Sequence, residues 1–405
     1  MKKFLALLLA AVMVFSLAAC SSSEDADKPF KVGVILIGDE NEGYTYAHIS
    51  GIKAAAKSLG LSDDQIVWYY TIPESEVCYD KCVDCVEQGC SLVITNSYGH
   101  QSYCQQAASE YPDVQFVAMT GDTAYKSGLS NFSNAFNQTY QSRYVSGVVA
   151  GMKIKELVEA GKLTDKNYDA DGNVKVGYVG AYPYAEVISG YTGFYLGIKS
   201  VVENVAMEVS FTNSWFDIVA EGTTAEMLIA DGCVIIGQHA DSTGAPAAAE
   251  AANKAGTVVY SVGYNIDMLS VAPTAALTSA SNDWSVYYTY AIGAAMNGED
   301  IVTDWSEGYE TGAVCITALG SSCAAGTAEK VAEVEASIKN GSFHPFDINT
   351  FTVGGQKITS TFCYDSDGDY VYDQQEAIVN GHYDESKFIS APSFNLAVDG
   401  ITQLN

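Results

Sequence analysis

Short apolar runs alternate with longer stretches of helical period along most of this chain. Val32-Gly33-Val34-Ile35-Leu36-Ile37 is an unbroken apolar run bounded by a turn signal, which predicts a strand buried on both faces. Residues 46–59 then carry apolar side chains at helical spacing and stop at Gly60, a residue suited to a helix C-cap. The same alternation predicts strands over 66–71, 92–95 and 114–119, and helices over 76–88, 100–110 and 139–158. A second series repeats the rhythm, with strands over 176–179, 208–213, 234–236 and 258–261 and helices over 185–202, 219–230 and 245–255. Repeated strand–loop–helix units build parallel sheets flanked by helices. Two such series predict an α/β protein of two doubly wound parallel-sheet lobes. In open parallel sheets a ligand sits beyond the carboxyl ends of the strands. The chain therefore reads as organised around its first strand-end loop, Gly38 to His48, which holds three acids, an Asn and two tyrosines.

The length of 405 residues also favours two domains. The pattern assigns 30–132 plus about 265–310 to a first lobe, and 133–264 plus about 311–405 to a second lobe and tail. The N-terminus follows a different logic. Lys2-Lys3 precedes an apolar stretch from Phe4 to Phe15, and Leu17-Ala18-Ala19-Cys20 closes it. Residues 1–19 read as a secretory signal, too short and wrongly flanked for a membrane span. The Leu-Ala-Ala-Cys ending resembles a bacterial lipobox, which implies lipidation of Cys20 and anchoring to the outer face of the cell membrane. Residues 20–29 read as its flexible tether, being rich in Ser and acids. The formal net charge of −29 argues against nucleic acid, whose phosphates call for Lys and Arg. It also argues against an electrostatic hold on anionic lipid, leaving the acyl chains as the membrane link.

Nine cysteines follow Cys20. Cys78, Cys82, Cys85 and Cys90 crowd one predicted helix and its end, where thiols pack as small hydrophobes. Cys315 and Cys323 are spaced to close a short loop. The tail from about 313 departs from the alternation: 329–340 reads as a helix and 351–361 as a hairpin. Asp365, Asp367, Asp369, Val371, Asp373 and Glu376 have the spacing of a calcium loop, with Tyr370 where that loop needs Gly. The competing reading is an acidic hairpin turn. No phosphate-binding loop, zinc-protease motif or Gly-x-Ser-x-Gly elbow is present. His239 and Asp241 are spaced as a catalytic pair, but polar groups at a strand end account for them more simply. Catalysis is not expected, and neither is a cofactor apart from that calcium.

Several motifs go further. Gly43-Tyr44-Thr45-Tyr46-Ala47-His48, Asn213-Ser214-Trp215-Phe216-Asp217, Gln238-His239-Ala240-Asp241-Ser242, Val262-Gly263-Tyr264-Asn265-Ile266-Asp267-Met268 and Gly341-Ser342-Phe343-His344-Pro345-Phe346 resemble the basic membrane protein family. These are substrate-binding lipoproteins of ABC importers. The resemblance implies a type I periplasmic-binding-protein fold with a hinge, a monomer that docks on an ABC permease, and a purine base or nucleoside as ligand. It implies stacking by Tyr44, with Tyr182, Trp215, Tyr264 and Trp284 as further aromatics. Asn41, Glu42, Ser97, Tyr98, Asn137, Asp217, His239, Asp241, Asn265 and Asp267 lie on the corresponding loops for polar contact. Each has a plainer reading, as a helix cap, a turn former or lobe packing. Thr120 stands where other branches carry an acid, and Trp284 where they carry a nearby Lys. That favours a free base over a nucleoside. A sugar or vitamin in the same cleft, and a surface nucleoside hydrolase, are the competing readings.

Overall fold

A computed structural model describes residues 29–367 and 371–405. The signal segment, Cys20 and Asp369 lie outside these residues. In chain order the first series is β1 (Val32–Ile35), α1 (Gly43–Leu59), β2 (Ile66–Tyr69), α2 (Glu76–Glu87), β3 (Leu92–Thr95), α3 (Gln101–Glu110), β4 (Gln115–Met119), α4 (Ala124–Ser127) and β5 (Phe132–Ala135). The second is α5 (Thr139–Glu159), β6 (Val174–Gly180), α6 (Ala185–Lys199), β7 (Val205–Phe211), α7 (Ile218–Asp231), β8 (Ile235–His239), α8 (Gly244–Lys254), β9 (Tyr260–Tyr264) and β10 (Ala276–Asn282). The chain closes with α9 (Trp284–Met296), β11 (Asp304–Trp305), β12 (Val314–Ile316), α10 (Thr327–Lys339), the short strands β13 (Phe362–Tyr364), β14 (Gln374–Glu376), β15 (Ile378–Val379) and β16 (His382–Tyr383), and β17 (Ile401–Gln403).

Two sheets carry the fold. One has the order β11-β5-β4-β3-β1-β2, and the other β12-β10-β9-β8-β6-β7-β17. Every pair in the first sheet is parallel, and only β10–β12 runs antiparallel in the second. All four residues of β1 and of β3 are buried, because helices cover both faces of the sheet. The chain returns to the first sheet at Trp284 rather than near 265. Strand β10 pairs with β9 in the second sheet, and only then does α9 lie against α1. There His48 stacks on Trp284 at 4.5 Å and its Nδ1 meets the Tyr288 hydroxyl at 2.5 Å.

The buried thiols Cys78, Cys82, Cys85, Cys90 and Cys104 form a core layer with Ile35, Val93 and Phe116. All nine described cysteines are free, Cys315 and Cys323 included. In the tail, β13 pairs antiparallel with β14, where the hairpin was expected over 351–361. Asp373 accepts from the Ser366 amide and hydroxyl. Glu376 accepts from Ser360, Thr361 and Ile378. Strands β13 and β14 thus flank the calcium-spaced stretch, of which 368–370 lie outside the described residues, and among the described residues no group of three His, Cys or acidic side chains is placed to hold a metal.

Helices α5 and α6 cross backbone to backbone. A Cβ on Gly197 would press into the Tyr144 carbonyl oxygen, and one on Gly147 into that of Phe194. Backbone cannot yield as a flexible side chain can, so Gly197→Ala forces the helices apart. We expect a loss of about 1–3 kcal/mol, the usual cost of overpacking, read as a lower urea midpoint at unchanged slope.

Candidate ligand-binding cleft

The two sheets turn the carboxyl ends of their strands toward a shared cleft. Strand order reverses between β1 and β3 in the first sheet and between β6 and β8 in the second, and ligands settle beyond such reversals. A partly open cavity occupies this cleft. Nearly every strand-end loop supplies part of its wall. From the first body come Ile37, Glu42 and Tyr44 after β1, Glu74 after β2, Ser97 and Tyr98 after β3, and Thr120 after β4. From the second come Glu186 after β6, Trp215 after β7, Asp241 after β8 and Tyr264 at the end of β9. The bodies approach closely beside it, where Gly43 leaves room for the Asp241 carbonyl and Ile266 across the gap.

Tyr44 is fixed from below. Its hydroxyl donates to the Asn96 carbonyl and lies 3.3 Å from the Thr120 hydroxyl, and burial raises its phenol above the usual range. Asn96 in turn accepts from the Ile37 amide at 2.8 Å. Thr120 has φ +56°, an uncommon conformation for a β-branched residue and one that clusters at functional sites. Trp215 sits against Tyr182 at 5.4 Å, and its carbonyl accepts from the Asp241 amide. Tyr264 rests on the Arg143 guanidinium, whose centre is 3.7 Å from the ring centroid.

The electrostatics are acidic. Burial pushes Glu42 above the usual carboxylate range and Glu186 up to about 7, against the pull of Arg143. Asp241 is raised well above its usual value by burial and then by Glu42, Glu221 and Glu186. Burial, with Arg143 adding to it, holds His239 well below its ordinary value, so this imidazole is neutral near pH 7.

Of the residues anticipated from sequence, Glu42, Tyr44, Ser97, Tyr98, Trp215, Asp241 and Tyr264 line the cleft. His239 lies behind Glu186, its Nε2 3.4 Å from the carboxylate. Asn265 supports Asp241 with a 2.7 Å bond, and Tyr182 backs Trp215. The others are placed elsewhere. Asn41 is exposed and donates to Asp39. Asp217 caps α7, accepting from the Val219 and Ala220 amides, and Asp267 closes a turn onto Leu269. Trp284 is buried against His48. Asn137 is buried where the chain crosses between bodies, its amide donating to Asn282 and to the Ala313 carbonyl. Hinge segments leave strand ends as binding loops do, so position alone could not separate the two. Ile37, Glu74 and Glu186 line the cleft and are not among the expected contacts, and Arg143 stands behind its wall against Tyr264. The first three obey the same strand-end rule. Arg143 is the only arginine in the chain, which is itself a signal, and it is buried near the start of α5.

The comparisons agree with this geometry. Residues 40–344 match the family model for Bmp, the PnrA-like ABC transporter substrate-binding proteins. A purine-binding protein of Brucella abortus is 30% identical over 84% of this chain and 89% of its own length. A putative ABC transporter glucose-binding protein of Haloferax volcanii is 28% identical over 74% and 69%. A solved solute-binding protein of an Aeropyrum pernix ABC transporter shares the fold, with a TM-score of 0.63 at 16% identity over 78% of this chain and 93% of that one. The chain belongs to the PnrA-like family of ABC transporter substrate-binding proteins, extracytoplasmic receptors that hold a small molecule for a permease rather than catalyse its conversion.

Proposed function

We propose that this protein binds a free purine base in the inter-lobe cleft and delivers it to an ABC permease, as a monomer tethered to the membrane through lipidated Cys20. The observation that carries the reading is the set of aromatic faces from both bodies, Tyr44 opposite Trp215 and Tyr264, around a cleft edged with hydrogen-bonding groups. Stacking on an aromatic contributes on the order of 1–3 kcal/mol per base. The purine-binding relative supports the same ligand class. The family resemblance, in which other branches carry an acid where Thr120 stands, favours a base over a nucleoside, and Trp284 packs on His48. Ligand contact with both bodies favours the closed arrangement, which is what the permease reads. The glucose-binding name of a second relative keeps a sugar as the alternative, although sugars gain less from so many aromatic faces. Thermal unfolding of residues 29–405 with purines, pyrimidines, nucleosides and sugars separates them. A base at 100 times its dissociation constant stabilises by about 2.7 kcal/mol, so purines raise the melting temperature and glucose does not. A shift with glucose alone overturns the reading.

A further inference from the structure

The family model ends at residue 344, and the tail beyond it is built into the second body. Phe346, Phe351, Tyr383 and Phe394 share one buried core with Tyr178 and Phe194, and β17 extends the second sheet alongside β7. From that base the tail reaches the first body at two points. The Ser390 amide and hydroxyl donate to one carboxylate oxygen of Asp304, at 2.8 and 3.1 Å. Asp304 stands in β11, an edge strand of the first sheet. At α4, the Lys126 ammonium donates to the Asp365 carbonyl at 2.6 Å and lies over the Tyr364 ring. Beside it Tyr125 meets Tyr364 edge to face, with ring centroids 5.6 Å apart.

The backbone itself crosses between the bodies after β5, after β10 and after β11. A receptor that closes on its ligand turns about such crossings. A contact between bodies that exists in only one arrangement shifts the balance toward that arrangement. The tail contacts coexist with the close approach of Gly43 to the Asp241 carbonyl across the cleft, so they belong to the closed arrangement. Helix α4 follows the carboxyl end of β4, the end that turns toward the cleft, so opening the cleft draws Tyr125 and Lys126 away from Tyr364. We propose that the tail is a non-covalent tie that favours closure, so that Tyr125, Lys126 and Asp304, none of which lines the cleft, help to set ligand affinity. The tie rests on the two-body receptor reading above and not on the ligand being a purine.

The test compares the whole chain with Tyr125→Ala/Lys126→Ala and with a triple variant that adds Asp304→Ala. Tyr125 is 50% exposed and Lys126 is exposed, so the double variant leaves both cores intact, and urea unfolding verifies it. Stopped-flow fluorescence reads the release of adenine or guanine, and small-angle scattering reads the radius of gyration without ligand. The double variant is expected to release the base about tenfold faster, the scale of one ring–ring and one cation–ring contact together, and the triple variant faster still. Association, which starts from the open arrangement, stays as it was; a merely structural role would lower the urea midpoint and leave the release rate alone. Release that is unchanged or slower in folded variants overturns the tie. If neither base binds, the purine reading fails and the radius decides the tie: a larger unliganded radius in the variants upholds it, and an equal one overturns it.

Discussion

Tyr44→Ala weakens purine binding by about 1–3 kcal/mol, roughly five- to 150-fold in the dissociation constant. Two losses combine in that number. On the proposed reading the ring supplies a stacking face in the first body, while Trp215 and Tyr264 line the cleft from the second. Its hydroxyl also ties α1 to the strand ends, donating to the Asn96 carbonyl beside Thr120. Tyr44→Phe separates the two, since it keeps the face and removes the anchor. We expect less than about a tenfold loss from Phe, the scale of one hydrogen bond, and the full loss from Ala. Fluorescence titration of both variants against the wild type reads the difference. Equal losses for Phe and Ala would mean that Tyr44 acts through its hydroxyl and stacks on nothing.

Stability of the unliganded protein falls as pH rises from about 6.5 to 8; at lower pH the buried His48, His100 and His239 and the half-buried His344, all held below their ordinary value, oppose the decline. Glu385 is 2% exposed in the tail, and burial lifts it to about 8. Glu186 and the buried Glu221 rise to about 7 for the same reason. Above the ordinary value near 4.5, the unfolded chain has released these protons while the native state still holds them. The native state therefore binds more protons, and stability declines with pH until the native groups ionise in turn. At about 1.4 kcal/mol per pH unit, lifting Glu385 from near 4.5 to about 8 makes its contribution roughly 5 kcal/mol. Glu385→Gln removes its share of the slope, because the amide mimics the neutral acid at every pH. Urea unfolding at pH 6.5, 7.5 and 8.5 should show a steep decline for the wild type and a shallower one for Glu385→Gln. A flat wild-type profile would contradict the burial of these acids.

The alternation of apolar runs and helical stretches made the two-sheet architecture readable, because strands covered on both faces leave an unbroken apolar signature. The strand-end rule likewise picked out Glu42, Tyr44, Trp215, Asp241 and Tyr264. It stopped short where one rule serves two purposes. Asn137 leaves a strand end as a binding residue would, yet its amide joins the crossings between bodies. Asp217 stands on a binding loop, yet its carboxylate caps a helix. Trp284 belongs to the first body only because α9 returns to pack on α1, and no local pattern says which sheet β10 joins before that return. Glu74 and Glu186 obey the same rule, yet in a chain of net charge −29 an acid reads as surface. Their meaning came from convergence. Four carboxylates scattered from residue 42 to residue 241 meet in one cleft.

The central claim is that this cleft holds a purine base, and calorimetric titration of guanine and adenine into ligand-stripped wild-type protein and a Tyr44→Ala/Trp215→Ala double variant tests it most directly. The account predicts saturable one-to-one binding to the wild type, and loss of measurable heat in a double variant that still unfolds cooperatively. Purine binding of equal strength in both proteins would place the base outside the cleft and contradict the account.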